Sequence, residues 1–143
     1  LTPNLTAVEN VELPLIYRGV SRSVRQELSR EALKKVGLEH RMDHKPSEMS
    51  GGQQQRVAIA RAIAQAPPVI LADEPTGNLD SNSTKEIMDI LKGLHNEGRT
   101  VILITHDNDI AAQAKRVIKI KDGKVESDSG QIVPVEELQT AGA

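Results

Sequence analysis

Apolar residues recur at helical spacing through the first part of the chain, up to about residue 48. One helix is predicted to begin after Thr6 and to end weakly at Pro14, because proline disrupts a helix interior. A stronger helix is predicted to follow Ser21 or Ser23 and to end before Gly37, a typical C-cap residue. The apolar positions of these two helices are Val8, Val11 and Leu15, and then Val24, Leu28, Ala32 and Val36.

From residue 49 onward, helical patterns alternate with short and continuously apolar runs. The runs at 69–72 and 100–105 are predicted to be strands of a parallel sheet that is covered on both faces. Helices are predicted at 53–66 and 83–94, and the second carries an apolar stripe of Ile87, Ile90, Leu91 and Leu94. This alternation predicts an α/β fold with at least some parallel pairing.

The last part of the chain is predicted to form a hairpin and a tail. Asp122-Gly123 is typical of a tight turn, and it lies between short strands predicted at 117–120 and 124–125. The remaining residues, 126–143, are small and polar, with one weak helical patch at 135–139.

Composition narrows the classes of protein to consider. The chain has 143 residues, enough for one domain with a core, and it has no cysteine, which excludes disulfides and thiolate chemistry. The net charge is −2, so the basic excess of a general nucleic-acid or acidic-membrane binder is missing, and we expect no nucleic-acid partner. No apolar run has the length of a membrane span, and no signal peptide is visible.

The stretch "MSGGQQQR" places two glycines at a predicted helix start. Ser50 and Gln53 have the spacing of a capping box, which puts Gly51 and Gly52 in the first turn. There the backbone N–H groups have no helical partner, and the helix dipole attracts an anion. The turn therefore suits a phosphate. The alternative is a capped turn in which glycine only bends the chain.

Two carboxylates follow the first predicted strand directly, in "VILADEP". Ligands of open α/β sheets bind beyond the carboxyl ends of the strands. Asp73 is therefore placed to hold Mg²⁺, directly or through a water, and Glu74 to accept a proton from an attacking water. The alternative is a solvated acidic strand end.

Histidines occur at four positions, and one of them follows the second predicted strand. If the two strands are neighbours, His106 projects from the same sheet edge as Glu74 and can hydrogen-bond a phosphate oxygen. A surface residue beside a helix cap is the alternative. His40 and His44 have i, i+4 spacing but no third ligand, so we interpret them as solvated. His95 lies at a helix end, where a cation is mildly favoured.

Four motifs in a fixed order, within residues 1 to 125, resemble the nucleotide-binding subunit of ATP-binding cassette (ABC) transporters. "MSGGQQQR" is similar to the signature LSGGQ, with Met49 replacing leucine, a volume-conserving change. "VILADE" resembles Walker B with its following glutamate, "GNLD" resembles the D-loop, and Thr105-His106 resembles the switch histidine. The stretches "LTAVENVELPLIYRG" and "ADEPTGNLD" are most similar to the bacterial macrolide-export and lipoprotein-release branch.

The chain departs from the family in one respect, since it contains no G-x-x-x-x-G-K-[ST] phosphate loop. In the family that loop lies upstream of the position that is Leu1 here, so a fragment is expected. The resemblance implies part of a P-loop NTPase (RecA-like) core, with an incomplete parallel sheet and a helical subdomain. The implied divisions are a helical subdomain at 1–52, the second half of the ATPase core at 53–125, and a tail at 126–143.

The resemblance also implies a role for each motif. In the family, two cassettes sandwich two ATP molecules head to tail. The signature residues would contact the γ-phosphate of a nucleotide held by the partner; they are Ser50, Gly51, Gly52 and Gln53. Asp73 would hold Mg²⁺, Glu74 and His106 would be catalytic, and Asp80 would lie across the dimer seam.

The implied function is ATP hydrolysis that drives a transporter from the cytoplasmic face of the membrane. A transmembrane subunit would dock on residues 1–48. One alternative is a non-transport cassette ATPase, but the coiled-coil heptads of repair types and the tandem cassettes of translation types are not seen. The other is a non-catalytic interaction or structural fragment. The 143-residue chain alone is expected to be inactive and to self-associate.

Overall fold

The computed structural model describes residues 1–130, which belong to two compact units, Leu1–Ile104 and Thr105–Ala143. The first unit contains helices α1 (Ala7–Tyr17), α2 (Arg22–Lys35), α3 (Gly51–Ile63) and α4 (Ser81–Asn96), and strands β1 (Val69–Asp73) and β2 (Thr100–Ile104). The second contains helix α5 (Asn108–Ala111) and strands β3 (Ile118–Lys121) and β4 (Lys124–Asp128). The helical patch predicted at 135–139 lies outside the described residues, and the division at residues 52 and 125 stays a prediction.

Helix α1 begins as predicted and ends later than predicted. Thr6 and Glu9 form a capping box, because the Thr6 hydroxyl accepts from the Glu9 N–H and the Glu9 carboxylate accepts from the Thr6 N–H. The helix then continues through Pro14 to Tyr17. The predicted end at Pro14 was wrong, since a single missing N–H does not stop a helix whose next turn carries the buried Leu15.

Helix α2 ends as predicted, and its buried face agrees with the predicted one only in the C-terminal half. Gly37 adopts φ 71°, and the Leu38 N–H donates to the Leu33 carbonyl 2.9 Å away, which closes the helix in a Schellman motif. Ala32 and Val36 are buried, whereas Val24 is 47% exposed. Each step of four residues turns the helix by about 40° beyond a full turn, so a series of such steps drifts away from the core.

The core of the first unit lies where α1, α2, α3 and α4 pack together, and it is aliphatic. Its fully buried large apolar side chains are Val11, Leu15, Leu33, Val36, Leu38, Val57 and Ile87. On α4, the predicted stripe is confirmed at Ile87, Leu91 and Leu94, while Met88 is buried and Ile90 only half-buried. An ion pair of 2.9 Å between Glu12 Oε2 and Arg25 Nε joins α1 to α2.

Strands β1 and β2 pair in parallel, with Asp73 opposite Ile104, which confirms the predicted parallel pairing. The apolar runs predict strands that are covered on both faces, but among the described residues only one face is covered. Ile70 is buried on one face, but on the other Val69, Leu71, Ile102 and Ile104 are 50%, 66%, 47% and 49% exposed. Side chains alternate along a strand, so these four share one open apolar face. An open apolar face agrees with the expectation that the chain is a fragment and self-associates.

The predicted hairpin is confirmed in the second unit. Strands β3 and β4 pair antiparallel, and Asp122 and Gly123 connect them with φ values of 51° and 72°, as a type I′ turn requires. Arg116 donates two hydrogen bonds to the Asp128 carboxylate, from Nε at 3.0 Å and from Nη2 at 2.6 Å. The two strands are thus closed by the turn at one end and by an ion pair at the other.

This ion pair should make the hairpin sensitive to acid. The hydrogen bonds from Arg116, with one from the Gly130 N–H, lower the pKa of Asp128 from 3.8 to about 2. Because the folded pKa is the lower one, the stabilisation is complete above about pH 4 and is lost as the pH falls towards about 2. A carboxyl ¹³C titration of Asp128 should show this low midpoint, and Arg116→Gln should move it upwards towards 3.8.

Lys115→Gln removes a neighbouring cation that has no bond to Asp128 among the described residues, and it should leave the midpoint in place. If both variants move the midpoint equally, general charge rather than the Arg116 pair sets the Asp128 pKa.

Candidate functional site

The glycine turn at the start of α3 is capped as the sequence predicted. The Ser50 hydroxyl accepts from the Gln53 N–H at 3.3 Å, and the Gln53 side-chain oxygen accepts from the Ser50 N–H at 3.0 Å. Helix α3 therefore begins at Gly51, the start that the capping box predicts, and it ends at Ile63 rather than at residue 66. The capping box satisfies the N–H groups of Ser50 and Gln53, and Gly51 between them is exposed.

The two glycines of the turn have different surroundings. Gly51 is exposed, and a Cβ added there would lie 3.4 Å from Leu79 Cδ2, an ordinary contact. Gly52 is buried, and a Cβ there would lie 2.6 Å from the Ser83 Oγ and 2.8 Å from its Cβ, too close for real atoms. Because residue 52 has no side chain, helix α4 can approach the turn closely at this point. The phosphate-binding role of the turn stays a prediction.

Two of the three glutamines that follow the glycines bind within the chain. Gln53 completes the capping box. The Gln54 side-chain nitrogen donates to the carbonyl oxygens of Pro46 at 3.0 Å and of Met49 at 3.2 Å. Gln54 thus holds the segment that leads into the glycine turn, a function that sequence reasoning missed because its partners are backbone atoms.

The acidic pair lies at the carboxyl end of β1, as predicted. Asp73 is exposed, and within residues 1–130 no hydrogen bond or ion pair occupies its carboxylate. Glu74 is half-buried, and its N–H donates to the Ile104 carbonyl at 2.9 Å. The chain turns at once, because the Glu74 carbonyl accepts from the Gly77 N–H at 3.1 Å.

The backbone of Glu74 is strained, and no sequence pattern had indicated this strain. Its φ is 44°, in the left-handed region that costs a non-glycine residue about 1–3 kcal/mol. The bond to Ile104 and the tight turn to Gly77 hold it there. Strain of this kind concentrates at functional sites, which adds an observation from the fold to the prediction made from the motif.

Asp80 is the N-cap of α4, which begins at Ser81, two residues before the predicted start. Its carboxylate accepts from the Ser83 N–H at 2.9 Å and from the Ser83 hydroxyl at 2.8 Å. These two bonds lower the pKa of Asp80 below its ordinary value. The spacing of Asp80 and Ser83 is typical of a cap, and this signal was available in the sequence.

His106 belongs to the second unit, two residues beyond the end of β2. The parallel pairing of β1 with β2 is the condition on which its predicted place at the sheet edge rested, and that pairing is confirmed. Its neighbour Asp107 caps the short helix α5 by accepting from the N–H groups of Asp109 and Ile110. The location of His106 relative to Glu74 stays a prediction.

The histidines of the polar segment have separate partners. His40 Nε2 lies 3.2 Å from Glu39 Oε1, and His44 Nε2 lies 3.0 Å from Arg41 Nη1. Among the described residues, no group of three histidine, aspartate or glutamate side chains is arranged to hold a metal ion. Any cation at Asp73 therefore takes its remaining ligands from elsewhere, as Mg²⁺ commonly does from phosphates and waters.

None of the helices described in residues 1–130 has the length and hydropathy to cross a membrane.

The family model described as ABC transporter matches residues 1–77. The macrolide export ATP-binding/permease protein MacB 2 of Aeromonas hydrophila subsp. hydrophila is 56% identical over 131 residues, which are 92% of this chain and 20% of that protein. The MacB protein of Hahella chejuensis is 50% identical over 143 residues, all of this chain and 22% of that protein.

The solved structures give the same result for the fold. A dimeric structure of the bacterial ABC transporter cassette MJ0796 is 50% identical with a TM-score of 0.76, over 90% of this chain and 57% of that one. A post-hydrolysis state of MJ0796 bound to ADP and Pi has a TM-score of 0.75 at 49% identity. These matches confirm the predicted fold class, part of the P-loop NTPase core with a helical subdomain.

The chain spans about a fifth of the length of the curated relatives that it matches. Its similarity to MacB proteins confirms the predicted resemblance to the macrolide-export branch. The family model covers more than half of the chain, and the chain belongs to the ABC transporter family.

Proposed function

We propose that this chain contributes to a nucleotide-binding subunit that binds and hydrolyses ATP to drive a transporter. The proposal rests above all on the Asp73-Glu74 pair, which ends a parallel strand in a chain of the ABC transporter family. The dimeric MJ0796 cassette and its ADP- and Pi-bound state support a nucleotide site shared between two cassettes. The MacB relatives are named as ATP-binding/permease proteins, and this supports a membrane partner.

The chemistry assigned to the strand end is that of in-line phosphoryl transfer, which depends on positioning and charge stabilisation. Asp73 fits a Mg²⁺ ligand, because its carboxylate is exposed and unoccupied by other described residues. Bound there, Mg²⁺ would neutralise phosphate charge. Glu74 orients or deprotonates the attacking water, and His106 holds the γ-phosphate.

The glycine turn is assigned to the nucleotide of the partner cassette. Ser50, Gly51, Gly52 and Gln53 surround the positive end of the α3 dipole, where a phosphate is favoured. Asp80 lies across the dimer seam, and the helical region before residue 49 receives the transmembrane subunit. The protein would then lie peripherally on the cytoplasmic face of the membrane.

Glu74→Gln tests the catalytic assignment in the intact protein. The amide keeps the size of the side chain but cannot accept the proton, so hydrolysis should fall by about 10²-fold or more. ATP binding should survive, and the closed dimer should accumulate. A steady-state ATPase assay beside size-exclusion chromatography with ATP measures both effects.

Glu126→Gln makes the same change at an exposed position on β4 and should leave turnover unaltered. Near-normal turnover in Glu74→Gln would overturn the assignment of Glu74 as the base.

Gly51→Asp tests the glycine turn, again in the intact protein. Position 51 is exposed and has room for a Cβ, and a negative charge in a first turn favours a helix, so folding should be retained. The added charge would repel a docked phosphate, and ATP-driven dimerisation should be lost. A substitution at Gly52 would test packing instead, because of its contact with Ser83.

Gly93→Asp is the matched control, since it adds the same charge at an exposed glycine of α4 with nothing within 4 Å. If Gly51→Asp dimerises normally with ATP, the turn does not face phosphate, and its glycines serve only the chain itself.

The 143-residue chain by itself should self-associate and should not hydrolyse ATP. Its open sheet face carries four exposed aliphatic side chains, beside a strand edge that is unpaired within residues 1–130, and such surfaces associate. Its sequence has no phosphate loop to cradle the β- and γ-phosphates, so tight ATP binding is not expected. Light scattering beside an ATPase assay on the purified chain tests both points.

Leu71→Ser should shift the chain towards monomer, because it removes the most exposed side chain of that face. Tyr17→Ser changes an 86% exposed residue of α1 and should not. A wild-type chain that stays monomeric and hydrolyses ATP would contradict this account.

A further inference from the structure

The contact between Gly52 and Ser83 joins two motifs that the sequence keeps apart. Gly52 lies in the first turn of α3, and Ser83 lies in the first turn of α4. The space that a Cβ of residue 52 would fill is taken by the Ser83 Oγ at 2.6 Å and Cβ at 2.8 Å. Displacement of the glycine turn towards α4 must therefore displace Ser83.

Ser83 is also the residue that holds Asp80. Its N–H and its hydroxyl both donate to the Asp80 carboxylate, at 2.9 Å and 2.8 Å. The same hydroxyl oxygen is the atom that lies closest to the missing side chain of Gly52. One atom thus belongs both to the packing against the glycine turn and to the cap that orients Asp80.

A second tie keeps the two helices together farther along α3. Arg56 Nη2 lies 3.5 Å from the Glu86 carboxylate on α4, and Arg56 Nη1 donates to the Val36 carbonyl at the end of α2 at 3.4 Å. Only 18% of the Arg56 side chain is exposed. This ion pair gives α3 and α4 a second contact beside the one at Gly52.

We propose that Ser83 is a positioning residue that transmits movement of the glycine turn to the carboxylate of Asp80. The contacts of Ser83 with Gly52 and with Asp80 support this transmission, and its connection to ATP binding rests on the proposed function. In the dimer of the proposed function, a phosphate bound at the turn from Ser50 to Gln53 moves Ser83 through Gly52. Ser83 in turn sets the position from which Asp80 meets the partner cassette.

The test follows the Asp80 carboxyl by ¹³C titration in the full chain, with Leu71→Ser in every sample to limit self-association. The wild-type midpoint should lie below the ordinary value of 3.8. Gly52→Ala pushes against Ser83, weakens its bonds to Asp80, and should raise the midpoint. Gly93→Ala lies on the same helix α4 with nothing within 4 Å of its Cβ, and should leave the midpoint unchanged.

A double-mutant cycle separates transmission through the hydroxyl from a general loosening of the fold. Ser83→Gly removes the hydroxyl bond to Asp80 and also both side-chain atoms that lie near a Cβ at residue 52, so it should raise the Asp80 midpoint by itself. In that background, adding Gly52→Ala should change the midpoint by much less than it does beside Ser83. Equal shifts in both backgrounds, or none in either, would overturn the proposal.

If Gly52→Ala does not fold, Ser83→Ala carries the test in the opposite direction. Loss of the hydroxyl contact should loosen the glycine turn and speed hydrogen exchange at the Gln53 amide, which is bonded to Ser50. An unchanged exchange rate would then count against the proposal. No nucleotide enters these measurements, so their failure is distinguishable from failure of the proposed ATPase function.

Discussion

The close approach of α3 and α4 at Gly52 is the constraint on which the arrangement of the candidate site depends. The helices meet there only because residue 52 has no side chain, and the space is filled by Ser83. That same serine holds Asp80 at the start of α4. One packing contact therefore links the position of the glycine turn to that of Asp80, beside the capping bonds that each of them makes within its own helix start.

A second constraint acts at the end of β1. The parallel register sets Asp73 opposite Ile104, and the next residue, Glu74, donates its N–H to the Ile104 carbonyl. This bond helps to hold Glu74 at φ 44°, a conformation that it would not prefer by itself. The neighbouring strand thus stabilises the backbone that presents both carboxylates, so β2 contributes to the site without supplying a reacting group from its own residues.

The features that could be predicted from sequence are those set by neighbouring residues. Ser50 with Gln53 and Asp122 with Gly123 each define a local structure through their own chemistry, and both predictions are confirmed. Asp73 and Glu74 were predicted to form a site from their motif and from their place after an apolar strand. The packing of Gly52 could not be predicted, because it depends on where a distant helix lies. The same holds for Val24, whose exposure is decided by which face of α2 meets the core.

The geometry of the sheet also places the candidate metal ligand beside the open apolar face. Side chains alternate along β1, so Asp73 lies on the same face as Leu71, and its partner Ile104 lies there too. That face is the open, apolar one. A layer that covers Leu71 and Ile104 must therefore reach the strand end where Asp73 is exposed. Burial of the apolar face and enclosure of the candidate metal ligand are then one structural event, driven by the hydrophobic surface beside the carboxylate.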